Sequence, residues 1–98
     1  MAANGARGEV MAALAGKERR LCLTLGALAE IETGLGLEGL SGLADRMRAL
    51  SARDLMVVLT ALLRGGGERA LADELDRAGV APREAAEAVA KVFAAAVG

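Results

Sequence analysis

The chain contains no histidine, no tyrosine and no tryptophan, and only one cysteine, one proline and one phenylalanine. Each shortage closes a route. Without histidine, neither a Ser-His-Asp nor a Cys-His catalytic arrangement can be assembled. A zinc site of the usual Cys/His kind is excluded with it. Cys22 stands alone, so an intrachain disulfide is impossible, which fits a reducing cytoplasm. Hydrophobic residues make up 54 % of the sequence and aromatics 1 %. The core must therefore be built from Leu, Val, Ala and Met. No segment approaches the roughly 20 apolar residues of a membrane span. Leu55 to Leu63 is apolar but short, and Arg53, Asp54 and Arg64 bracket it. Met1 to Leu14 lacks the basic start and apolar run of a secretory signal. With 12 basic against 13 acidic residues, there is no excess of cations to neutralise a phosphate backbone, which argues against nucleic acid as a partner.

What is present is patterned. The 98 residues suit one domain, and a chain of that size buries only about 60–65 % of its unfolded surface. Met1 to Arg7 carries no pattern and reads as a disordered tail, leaving residues 8–98 as a single domain. Glu9 to Leu14 puts Val10, Ala12 and Leu14 on one face. Arg20 to Leu25 alternates, with Leu21, Leu23 and Leu25 on one side and Arg20, Cys22 and Thr24 on the other. A period of two marks half-buried strands. Gly16, within Ala15-Gly16-Lys17-Glu18, suits the turn of a hairpin. Lys17, Arg19 and Arg20 then form a solvated hairpin face.

Helical signals follow. Thr24 is an N-cap candidate for a helix reaching about Thr33, with Leu28 and Ile31 buried and Gly34 as the stop. Leu40, Leu43, Met47 and Leu50 define a second helix over 40–50. Ser51 and Asp54 form a capping box of the S-x-x-D kind, and Leu55, Val58, Leu59, Leu62 and Leu63 make an apolar stripe at the 3.6 period. Gly65-Gly66-Gly67 reads as a helix stop and hinge. Glu68 to Ala78 is a short charged helix with Leu71 and Leu75 inward. Gly79 ends it, and Pro82 opens an alanine-rich last helix carrying Val89, Val92, Phe93 and Val97. The expected fold is α+β and mostly helical: an N-terminal β-hairpin followed by about five short helices in a compact bundle.

Two motifs resemble chemistry without its setting. Gly34-Leu35-Gly36-Leu37-Glu38-Gly39 has the spacing G-x-G-x-x-G, yet a helix precedes it where the dinucleotide fingerprint needs a strand. A nucleotide-binding module is thus the lesser alternative. Asp73, Glu74 and Asp76 sit beside Arg69 and Arg77, where surface ion pairs are the default. The expectation is no enzyme: no catalytic residue, no cofactor-binding residue and no metal site.

Arg20-Leu21-Cys22-Leu23-Thr24-Leu25-Gly26-Ala27-Leu28-Ala29-Glu30-Ile31-Glu32 closely resembles the start of the small gene transfer agent tail family. These proteins are encoded among the tail genes of phage-like particles in alphaproteobacteria. Leu50-Ser51-Ala52-Arg53-Asp54-Leu55, with Leu59 and Leu62-Leu63-Arg64-Gly65-Gly66-Gly67, is similar to its second signature. The resemblance implies a role in tail morphogenesis, in the bacterial cytoplasm or in the particle itself. The family is described both as tail tube protein and as tail assembly chaperone. A tube wall of this kind needs a sandwich or barrel of about six or more strands, and this sequence offers two. A chaperone or adaptor that binds the tube or tape-measure protein through helix surfaces is therefore the favoured expectation. A tube component retained in the particle is the alternative, and a homo-oligomer fits either. Candidate partner contacts are Leu35 and Leu37, expected partly exposed in a glycine-rich loop, and Arg46, Arg53 and Arg64 as anchors for an acidic partner.

Overall fold

Glu9–Leu14 (β1) and Lys17–Cys22 (β2) pair antiparallel, with Val10 opposite Leu21 and Leu14 opposite Lys17. Ala15 and Gly16 connect them with φ of 53° and 81°, the two positive values that a two-residue turn of type I′ demands. The computed structural model describes residues 9–97; the expected tail over residues 1–7 lies outside that range. Five helices follow among the described residues: Leu25–Leu35 (α1), Leu40–Arg46 (α2), Ala52–Gly65 (α3), Arg69–Glu74 (α4) and Pro82–Val97 (α5), with a 3-10 turn at Leu75–Arg77 after α4. The radius of gyration is 12.1 Å, close to the ~13 Å of a folded chain of about 100 residues. The α+β, mostly helical architecture read from the sequence is the one observed.

Its details correct several boundaries. β2 spans Lys17–Cys22 and does not continue to Leu25. Two signals overlap there, and the helical one wins. Thr24 is extended and its Oγ1 accepts from the Ala27 N–H at 3.0 Å. Leu25 therefore leaves the strand pattern and stands 83 % exposed on the first turn of α1. Helix α1 passes through Gly34 and stops at Gly36, which has φ of 69°. The Leu37 N–H reaches the Glu32 carbonyl at 2.8 Å and the Gly36 N–H the Thr33 carbonyl at 3.3 Å, a Schellman closure. Gly34 remains helical for a packing reason: a Cβ there would lie 2.4 Å from Val57 Cγ1.

Helix α2 ends at Arg46 and not at Leu50. Bonds from Arg48 N–H to the Asp45 carbonyl and from Ala49 N–H to the Arg46 carbonyl tighten the chain into a turn, the usual way of satisfying terminal carbonyls before a new cap. Ser51 then starts α3. The Asp54 N–H donates to Ser51 Oγ at 3.1 Å, and the Ser51 N–H donates to Asp54 Oδ2 at 3.2 Å.

Helix α3 is the central element. It packs against α1, β2, α4 and α5. Val58, Leu59, Leu62 and Leu63 are all buried on it, together with Ala61, while Leu55 is partly buried at the edge of the stripe. Leu14 and Leu21 of the hairpin, Ile31 of α1, and Val89 and Val92 of α5 complete the innermost layer. Phe93 lies against this core, partly buried. Cys22 faces away from Leu21 in the strand register, yet it is also buried, because the end of α3 closes over this end of β2. Arg19 and Arg20 are not a solvated face either. Both are half-buried, and Glu68 engages them: its carboxylate is 3.6 Å from the Arg19 guanidinium and accepts the Arg20 N–H at 3.1 Å.

Candidate interaction surface

The corner between α1, α2 and α3 holds the most structured polar contact of the molecule. Asp54 is the one buried charged residue among those described, 5 % exposed. Arg46 clasps it from α2, with Nε to Oδ2 at 2.9 Å and Nη2 to Oδ1 at 3.0 Å. Such two-point pairing fixes orientation as well as charge. The same guanidinium donates from Nη1 to the Leu35 carbonyl at 3.2 Å, at the end of α1. One side chain thus ties three helices. Few other contacts hold α2, and Leu43 is its buried anchor.

The hydrogen bonds from Arg46, and after them the Ser51 N–H, hold the Asp54 carboxyl below the ordinary aspartate range. A depressed folded-state value gives stability that is fully present above the ordinary carboxylate pKa of about 3.9 and is lost as pH falls through the lower folded value. Urea unfolding is expected to show Asp54→Asn less stable than the parent at about pH 7, with the gap closing at about pH 2–3 as the parent carboxylate is protonated. A gap that stays constant over that range would assign the loss to geometry and not to charge.

The other candidate contacts separate. Leu35 is the last residue of α1 and is buried, 7 % exposed, because the helix extends one turn past the expected stop and turns it inward. Leu37 is partly buried against the core. Arg46 is committed to Asp54 and Leu35, so its guanidinium serves the fold where an exposed anchor was expected. Arg64 is paired with Glu30 and lies 3.7 Å from Asp73. Arg53 is exposed on the first turn of α3, and no ion pair engages it among the described residues.

The glycine-rich segment 34–39 straddles the end of α1, its Schellman turn and the start of α2. No strand leads into it, so the setting of a dinucleotide loop is missing. Asp73, Glu74 and Asp76 are exposed. Among the described residues no group of three or more His, Cys, Asp or Glu side chains is placed to hold a metal ion. No helix among them is long and apolar enough to cross a membrane.

The surface features that remain are apolar grooves between helices. Leu23, Leu28, Leu43, Met47 and Phe93 line one of about 380 Å³ between α1, α2 and α5. A second, of about 590 Å³, runs between α1 and α3. Neither gathers ionisable groups of the kind that acid–base chemistry uses. Periodicity alone missed these grooves, because it identifies the buried face of each helix and not the spacing left between two helices.

Comparison with curated proteins and with solved structures returned no match. A protein-family model does match, over residues 7–98, and its description is phage tail tube protein, GTA-gp10. With nearly its whole length aligned to that model, the chain belongs to the GTA-gp10 phage tail tube protein family.

Proposed function

We propose that the protein is a non-enzymatic assembly factor of a phage-like tail, a chaperone or adaptor that holds tube or tape-measure protein through its helix surfaces. The observation that carries this reading is the size of the sheet. Among the described residues it has two strands, whereas a ring-forming wall of the sandwich or barrel type needs about six or more. The helical exterior with apolar grooves supports it, since such grooves suit the apolar face of a partner helix. The absence of histidine from the sequence and the lack of a gathered acid–base site in the grooves support a non-enzymatic role.

The test is co-expression and co-purification with the tube and tape-measure proteins of the same particle, followed by mass spectrometry of purified particles. An assembly factor is expected to bind at least one of them and to be missing from finished particles. The family description favours a second reading, a tube component. Recovery of the chain in mature particles at a stoichiometry of many copies would establish that reading in place of the first.

A further inference from the structure

Two large apolar side chains stand out as exposed, Leu25 at 83 % and Met56 at 37 %. Both lie beside the groove between α1 and α3. Met56 lines it, with Ala29, Thr33, Gly34, Val57 and Thr60. Leu25 stands one turn before Ala29 on the same row of α1, since residues four apart share a helix face. The walls are thus small or apolar, and the groove is wide enough to admit side chains of another helix. An exposed apolar strip of this kind, rimmed by charge, marks a contact surface.

The rim identifies the occupant. At one end Arg64 is neutralised by Glu30 of the groove wall and by Asp73. At the other end Arg53 stands one turn before Met56 and Val57, exposed and with no ion pair among the described residues. The groove therefore has an uncharged floor and one open positive end. We infer that the α1–α3 groove seats an amphipathic helix of a different chain, its apolar stripe against Met56 and Ala29 and a carboxylate at the Arg53 end. A second copy fits less well. In an isologous contact through this groove the available carboxylate is Glu30, and Arg64 already holds it, so Arg53 would gain none.

This assignment rests on the proposed role in tail assembly, and one set of measurements separates the two. Affinities for the tube and tape-measure proteins are measured with the parent chain and with Met56→Glu, Ala29→Glu, Arg53→Glu and Ala94→Glu. Ala29 and Ala94 are exposed helical positions, so both tolerate the new side chain, and circular dichroism with thermal melting checks each variant. The expected result is a loss of about tenfold or more with Met56→Glu and Ala29→Glu, a smaller loss with Arg53→Glu that weakens further in high salt, and no change with Ala94→Glu on α5. Unchanged affinity in folded Met56→Glu and Ala29→Glu would overturn the groove and leave the assembly role standing. A parent chain that binds neither tail protein would overturn both. A parent dimer that Met56→Glu converts to monomer would reassign the groove to a second copy and overturn the heterologous occupant.

Discussion

Leu59→Ala is expected to lower the unfolding free energy by about 2–5 kcal/mol. Leu59 is 1 % exposed at the middle of α3, the helix against which every other large element packs. Truncation removes three heavy atoms from the apolar interior, and the loss includes both their transfer from water and the void left behind. The void has an existing neighbour. Leu59 lines a cavity of about 110 Å³ with Leu55, Leu75, Val80 and Ala85, so the deletion enlarges a space that the 3-10 turn and the start of α5 already leave open. Few aromatic side chains are present to swing into it. For a domain of about 100 residues, each kcal/mol moves the thermal midpoint by roughly 4–8 °C, so calorimetry should show a fall of at least about 8 °C. A change well under ~1 kcal/mol in urea unfolding would place Leu59 at the surface.

Leu59 also shows which parts of the fold were legible. The 3.6-residue stripe on α3 names four of its buried side chains, because a helix with one wet side must put its apolar row inward. The Ser51–Asp54 box was legible for a similar reason: both partners sit within one turn, and local geometry suffices to join them. The failures lie where two local signals compete or where the deciding contact is distant. Leu21, Leu23 and Leu25 alternate like a strand, but the Thr24 cap takes Leu25 into α1. Gly34 looks like a stop, but Val57 from a helix more than 20 residues later occupies the space beside it. Arg46 looks like a solvated cation, yet its carboxylate is Asp54, already assigned a capping role by its own turn. None of these pairings leaves a periodic trace. The same holds for the groove contacts: Arg53 and Arg64 were picked out by type, and only the placement of Glu30 and Asp73 shows that one is neutralised and the other is not.

Gly66→Ala is expected to cost about 3 kcal/mol or more, a larger loss than helix propensity or turn conformation would suggest. The sequence Gly65-Gly66-Gly67 reads as one flexible stop, but the three glycines act differently. Gly67 has φ of 85° and open space around its Cα. It closes α3 through the Glu68 N–H bond to the Leu63 carbonyl at 2.8 Å, so Gly67→Ala should cost only the left-handed strain of about 1–2 kcal/mol. Gly66 has φ of −89°, which any residue adopts. Its constraint is space: a Cβ would lie 2.1 Å from the Arg20 carbonyl oxygen and 2.6 Å from its carbon. Gly65 is equally close to the hairpin, with a Cβ position 2.2 Å from the Cys22 oxygen. Both obstacles are backbone of β2, so no rotamer change relieves them, and α3 must move off the sheet. That displacement would also pull Glu68 from the Arg20 N–H and the Arg19 guanidinium, contacts that depend on the same approach. Denaturant unfolding of Gly66→Ala and Gly67→Ala side by side decides the matter. A Gly66→Ala loss no larger than that of Gly67→Ala would mean that the helix end does not press on the hairpin. A loss at least ~1 kcal/mol greater, with Leu62 and Leu63 amides exchanging faster, is the expected outcome of forcing α3 away from β2.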